Sequence, residues 1–382
     1  MAALNFLAHI SSHKSLLTLF LALLAVLSTA CGPLIRSNTD VAPATPSAIP
    51  ATTATAPAAT PTTSVNPEWK RIGLTEVSLN VIVPDPRQPA TLYTGGKGVY
   101  KSTDEGKTWV PLTADFSVQD MAVSPANTSI VYAGSTEGCL KGTEAVSYRS
   151  DDGGRSWTAI GRNLRSYAPH PGNPDIVFAA SCSGVVKSLD KGRTWQTLKS
   201  DAWPLGYDTT HVAVSPSAPD TIYAMFASEG GTVAIARSRD GGNSWNDITP
   251  KEEIWAPTDL KVDSKDHNIL YAVTWKGVFR TTDGGLSWKN SISGLDSARK
   301  VDSGFVTYSV AALAIDPART EVLYLSTGGL EPRGYGIFRS WDRGESWHDT
   351  GSGLGSLSVR DVTFANGIVF AATSAGVWRL YW

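Results

Sequence analysis

Short apolar runs, not long amphipathic stretches, dominate the chain from residue 68 onward. Asn80-Val81-Ile82-Val83, Met121-Ala122-Val123, Val212-Ala213-Val214 and Leu313-Ala314-Ile315 are nearly continuous in apolar side chains, as in strands buried on both faces. A turn rich in Pro or Asn follows each run. A second strand like Val131-Tyr132-Ala133-Gly134 comes next, then a third like Gly98-Val99-Tyr100-Lys101. A fourth strand opens on a tryptophan. These are positions a, b, c and d of one recurring cassette.

Between c and d lies an octapeptide, Ser/Thr-x-Asp-x-Gly-x-Ser/Thr-Trp. Six copies occur, with the pairs Asp104 and Trp109, Asp152 and Trp157, Asp190 and Trp195, Asp240 and Trp245, Asp283 and Trp288, and Asp342 and Trp347. Their spacing, about 38 to 59 residues, suits four-stranded propeller blades. In such a hairpin the Asp accepts turn amides, the Gly supplies positive φ and the Trp packs on the neighbouring hairpin. The aspartates are therefore read as structural. As a calcium row they would lack the downstream bidentate Glu.

A seventh cassette, Val362-Thr363-Phe364, Ile368 to Ala371 and Gly376 to Arg379, supplies positions a to c without an octapeptide or a strand d. Glu68-Trp69-Lys70-Arg71-Ile72-Gly73 has the wording of a strand d, like Ser156 to Gly161. The expected fold is all-β: a seven-bladed β-propeller over residues 68–382, closed by an N-terminal strand that completes the last blade and removes two open edges.

Residues 1–30 read as a signal peptide, because Leu16 to Ala30 is apolar but short for a membrane span. The run ends in Leu27-Ser28-Thr29-Ala30-Cys31, which resembles the lipobox of bacterial lipoproteins. That resemblance implies lipidation of Cys31 and an extracytoplasmic, membrane-anchored protein; a plain secretory signal is the alternative. Residues 31–67, rich in Pro, Ala, Thr and Ser, read as a disordered tether. Cys139 and Cys182 remain as a candidate disulfide in an oxidising compartment. A net charge of −2 argues against nucleic acid as partner. No cofactor or metal motif is present, and a monomer is expected.

The octapeptides resemble the Asp-box, or BNR-repeat, superfamily, over Trp69 to Trp382. Its members include sialidases, sortilin-type receptors, two-domain xyloglucanases and the photosystem II assembly factors, and the layout is nearest to sortilin-like and assembly-factor-like seven-bladed propellers. The resemblance implies a fold more than a function. Sialidases carry an Arg-Ile-Pro motif and an arginine triad. Here Arg71-Ile72-Gly73 lacks the Pro and no triad is found. Xyloglucanases use two Asp residues in a cleft between two propellers, and this chain has length for one.

Octapeptides and short a–b turns share one propeller face, so the long b–c and d–a connections crowd the other. Aligned a strands place Val81, Asp120, Ser166, His211, Asp259, Ala312 and Asp361 in one column at the channel mouth. Arg165 and Arg360 flank it, and Trp203, Tyr207, Trp255 and Tyr308 lie on adjacent loops. Asp120, Arg165, Trp203, Tyr207, His211, Trp255, Asp259, Tyr308, Arg360 and Asp361 are the candidate ligand-binding residues. The plainer reading is a water-filled funnel whose polar groups solvate strand ends and whose tryptophans brace loops. The expected function is a non-enzymatic binding or assembly module for a protein or glycan. The alternative is a glycan-active hydrolase, sialidase- or xyloglucanase-like, using the mouth carboxylates.

Overall fold

The second strand of a blade, rather than the first-strand runs expected from the sequence, is covered on both faces by neighbouring sheets: Leu79–Pro84, Asp120–Val123 and Tyr207–Val214 line the channel and are only partly buried. Val131–Gly134, Val177–Ser181, Leu270–Thr274 and Leu323–Thr327 are buried throughout. The outer strands are short and solvent-facing, as in Gln196–Thr197 and His348–Asp349. The computed structural model describes residues 67–135, 145–200, 203, 206–302, 305–308, 310–328 and 335–382. All of them fall in one unit, Thr63–Trp382.

Seven antiparallel sheets follow one another in chain order. Blade 1 comprises Leu79–Pro84, Leu92–Ser102 and Val110–Ser117. Its middle strand pairs with the first strand through Leu92 to Gly96 and with the last through Lys97 to Lys101, so it supplies both positions b and c. Blades 2 to 6 begin at Asp120, Leu164, Tyr207, Pro257 and Val310 and each hold four strands. The connection between blades 5 and 6 reads from the sequence as irregular. It is instead a short 3-10 turn, Asp296–Ala298, followed by a hairpin of Arg299–Asp302 and Phe305–Tyr308. Leu295 and Ala298 anchor that turn in the core.

Blade 7 closes the ring as the sequence predicts. Val359–Ala365, Ile368–Thr373 and Gly376–Tyr381 take positions a to c, and Glu68–Gly73 pairs antiparallel with Gly376–Tyr381. Trp69 is 1% exposed and packs with Leu354, Val359 and Leu380. Its indole N–H donates to Thr350 Oγ1 of blade 6 at 2.9 Å. Trp195 and Trp288 similarly donate to strand-d carbonyls of the preceding blade, at Ile160 and Ile248.

Each octapeptide is a closed hydrogen-bond network. The first hydroxyl accepts the fifth-residue N–H at 2.7–2.9 Å. The Asp Oδ1 accepts the seventh N–H at 2.8–3.0 Å. The seventh hydroxyl donates to Oδ2 at 2.5–2.7 Å. The hydroxyls of Thr108 and Ser244 are the largest cause holding Asp104 and Asp240 down at about 2. Glycine is required at the fifth position: at Gly154 (φ 93°) a Cβ would lie 2.4 Å from Leu112 of the preceding blade.

A second link joins neighbouring blades below these turns. The cation just before an octapeptide reaches the fourth-residue carbonyl of the next one. Lys101 donates to Gly153 at 3.3 Å, Arg149 to Lys191 at 2.8 Å, Lys187 to Gly241 at 2.9 Å and Arg280 to Arg343 at 3.0 Å, and Arg237 bonds Gly284. Arg379 of blade 7 pairs with the side chain of the corresponding residue of blade 1, Glu105, at 3.6 Å.

Candidate functional site

The inner strands bring the predicted column together at the channel mouth. In six blades the a–b register slips beside the column residue, as between Leu79 and Val81, Thr209 and His211, and Pro257 and Asp259. A bulge of this kind bends the strand and re-aims its side chains, here toward the adjoining blade. It also withdraws local backbone amides from the ladder, and a buried amide must find another acceptor.

That accounting explains where the acids stand. The residues following the column are Ile82, Met121, Tyr167, Val212, Leu260, Leu313 and Val362. Ile82 N–H donates to Asp361 Oδ2 of blade 7 at 2.8 Å, and Leu313 N–H to Asp259 Oδ2 of blade 5 at 2.8 Å. Tyr167 N–H donates to Asp120 Oδ2 of blade 2 at 3.2 Å, and Val212 N–H to Ser166 Oγ of blade 3 at 2.9 Å. The other three amides follow blades whose column residue is Val81, His211 or Ala312. There the aspartate of the same strand accepts its own next N–H: Asp259 Oδ1 from Leu260 at 2.8 Å, Asp361 Oδ1 from Val362 at 2.9 Å, and Asp120 from Met121. Three aspartates and one serine thus satisfy all seven amides. These carboxylates staple blade to blade, which the sequence reading of them as ligand or catalytic groups did not anticipate.

The arginines are committed in the same way. Arg165 donates to the Thr209 carbonyl from Nε and Nη2 at 3.0 and 2.9 Å. Arg360 donates to Ser78 Oγ at 3.1 Å and to Asn80 Oδ1. Trp203 packs edge-on to Trp245 and tilted on Phe226, both at 5.6 Å, as a loop brace over the blade 4 core. Tyr207 packs against the same cluster. The backbone of Tyr308 lies in the inserted hairpin; its side chain, Cys31 and Cys139 lie outside the described residues. Cys182 is disulfide-bonded.

One channel residue escaped the sequence reading. Two positions beyond the column the inner strands present Val83, Ala122, Ala168, Ala213, Lys261, Ala314 and Thr363. Lys261 is the single cation among these small side chains. It pairs with Asp259 at 3.1 Å and its side chain is 42% exposed, so it stands in the lumen. Burial opposes its charge, but Asp259, Asp361 and Asp120 outweigh that and raise its pKa. The period-2 alternation from Asp259 was the available signal. Burial pushes Asp361 up to about 7 despite Lys261. Burial likewise lowers His211 to about 4, against the pull of Asp259, and its Nδ1 has no hydrogen-bond partner among the described residues. Among the described residues, no three His, Cys, Asp or Glu side chains are placed to share a metal ion.

The loops above blades 4 and 5 form a fixed platform beside this mouth. Ala256, at φ 52°, donates to the Gly231 carbonyl at 2.8 Å, Val233 donates to Ile254 at 2.9 Å, and Thr232 bridges Trp255. Trp275 N–H reaches the carbonyls of Trp255 and Ala256, both at 3.2 Å. Lys276 Nζ lies 5.4 Å from the Trp255 ring centroid. Trp275 itself is 39% exposed. It was not singled out in the sequence because it sits in a two-residue b–c turn.

Fold and site together define a seven-bladed β-propeller with an aromatic platform beside a channel whose acids accept backbone amides of their own and the neighbouring blade. No protein-family model matches the chain. A xyloglucanase from Paenibacillus sp is 27% identical over 215 residues, covering 44% of this chain and 20% of the relative. The chain therefore matches about a fifth of that protein's length. Among solved structures, the GH74 xyloglucanase from Xanthomonas campestris superposes with a TM-score of 0.63 at 17% identity, over 82% of this chain and 53% of that one. YCF48 from Cyanidioschyzon merolae superposes with a TM-score of 0.59 at 15% identity, over 82% of this chain and 98% of that one. At such identities the structural likeness establishes the fold alone.

Proposed function

We propose that this propeller is a glycan-directed module that holds a polysaccharide chain on its loop-rich face. The observation that carries the reading is the exposed Trp275 beside Trp255, on loops clamped by backbone hydrogen bonds. A preorganised indole face next to a few polar groups suits the apolar face of a pyranose ring and costs little ordering on binding. The matched curated relatives are xyloglucanases, which favours a glycan over a protein ligand.

Those relatives also favour a second reading, a glycan hydrolase, more than they favour a module without enzymatic activity. Hydrolysis needs two carboxyl groups roughly 5–9.5 Å apart with oxygens free for the reaction. Asp120, Asp259 and Asp361 each spend oxygens on two backbone amides, so the mouth is poorly equipped for it. The likeness to YCF48, one structure of which is bound to D1 peptide, agrees with a binding role. Calorimetric titration with xyloglucan oligosaccharides, paired with a reducing-end assay, tests both. Binding that weakens at least tenfold in Trp275→Ala, with no new reducing ends, is the expected result. New reducing ends would establish the hydrolase, and neither binding nor cleavage would overturn the glycan reading. We further propose that a lipid on Cys31 tethers the propeller outside the cytoplasm; membrane retention of Cys31→Ser would refute this.

A further inference from the structure

The rim that carries the octapeptides has one position unlike the rest. In blades 1 to 5 the cation preceding the octapeptide donates to the fourth-residue carbonyl of the next blade, a residue held at φ between 59° and 72°. Arg339 is the blade 6 member of this series. Strands c and d of blade 7, Gly376–Tyr381 and Glu68–Gly73, are not joined by an octapeptide, so among the described residues no fourth-residue carbonyl meets Arg339. Arg339 makes no hydrogen bond or ion pair with any described residue. Its guanidinium lies instead 4.7 Å from the Trp341 ring, 4.5 Å from Trp382 and 5.5 Å from Tyr324. Trp341 and Trp382 are 49% and 55% exposed, among the most exposed large apolar side chains described.

We propose that this turnless seventh position is a binding site for an acidic turn of a partner polypeptide. A carbonyl or carboxylate of the partner takes the place of the missing acceptor on Arg339, and its neighbouring residues lie against Trp341 and Trp382. The chemistry follows from the other copies. In five blades the same donor is met by a peptide carbonyl. Three cations of the series also engage a carboxylate, Arg149 with Asp151, Arg280 with Glu345 and Arg379 with Glu105. A guanidinium held between aromatic faces is preorganised for such an acceptor and loses little rotamer freedom on binding. The site lies on the face opposite the Trp275 platform and stands whether or not that platform binds glycan.

The test uses a fluorescent cyclic peptide carrying the blade 1 octapeptide sequence, Ser102 to Trp109, titrated onto the full chain by fluorescence polarisation. Saturable binding is expected, at least tenfold weaker in Arg339→Gln and in Trp341→Ala, and unchanged in Trp275→Ala. Arg339→Gln should melt like the parent, whereas Arg237→Gln, which loses a buried link to Gly284, should melt lower. Peptide binding indifferent to Arg339→Gln, no saturable binding up to millimolar peptide, or capture by this rim of neutral xyloglucan oligosaccharides in place of peptide would each overturn the proposal.

Discussion

Replacing Asp259 with alanine tests whether the channel-mouth acids are scaffold. The side chain holds two amides in different blades, Leu260 N–H through Oδ1 and Leu313 N–H through Oδ2, both at 2.8 Å. Leu260 and Leu313 are 4% and 0% exposed, so water cannot replace the lost acceptor freely. A buried donor left unsatisfied costs about 1–3 kcal/mol. Two of them give about 2–6 kcal/mol, with the contact to the half-exposed Lys261 adding little. Asp259→Asn keeps one carbonyl oxygen and should lose about half as much. Urea unfolding of parent and both variants measures the totals, and amide hydrogen exchange at Leu313 locates the loss, with exchange expected to accelerate there first. If Asp259→Ala unfolds within about 0.5 kcal/mol of the parent, the usual range for a surface change, the inter-blade staple is not holding the ring and the carboxylate is free for a ligand.

Trp69→Ala should cost about 3–5 kcal/mol, the range for emptying a buried indole site, read by the same unfolding assay; a loss under about 1 kcal/mol would argue against closure by the N-terminal strand. His211 titrates near 4 in the folded state and near 6.5 unfolded, so the folded state binds fewer protons. Its contribution is present above about pH 6.5 and is lost as pH falls toward 4, and its ring resonances should show a midpoint near 4. Asp361 has the opposite sign: raised to about 7, its contribution is present below the ordinary carboxylate pKa and is lost as pH rises through 7, and Lys261→Met should raise its midpoint further by carboxyl chemical shift. The octapeptide carboxylates held at about 2, Asp104 and Asp240 among them, support the fold above the unfolded carboxylate pKa. That support fades progressively as pH falls from the ordinary carboxylate value of about 4 toward 2, so carboxyl chemical shifts showing Asp104 and Asp240 titrating at the ordinary value in the folded protein would contradict the turn network.

The sequence by itself determined the repeating parts of this protein. Each octapeptide turn is local: its two hydroxyls, its Asp and its backbone amides satisfy one another within eight residues, while Trp195, Trp288 and Trp347 reach out to the preceding blade, so a single copy states its own turn and six state a ring. Trp69 was legible as the missing strand d for the same reason, since one buried indole at the start of an outer strand marks that position. Aligning the a strands with one another likewise placed Asp120, His211, Asp259 and Asp361 at the channel mouth. What those side chains do there was decided only by the tertiary structure. An aspartate in an apolar strand looks the same in sequence whether it faces a ligand or an amide of the next blade, and the bulges that free those amides leave no mark on composition. Lys261 gathers three carboxylates, two of them from strands about 100 and 140 residues away in the chain. Trp275 becomes a platform only because the blade 4 and blade 5 loops meet beneath it, and Arg339 lacks an acceptor among the described residues only because no octapeptide joins the two outer strands of blade 7. Local hydrogen bonding can be read along a chain, whereas contacts set by the closing of a ring depend on distances that exist only once it has closed.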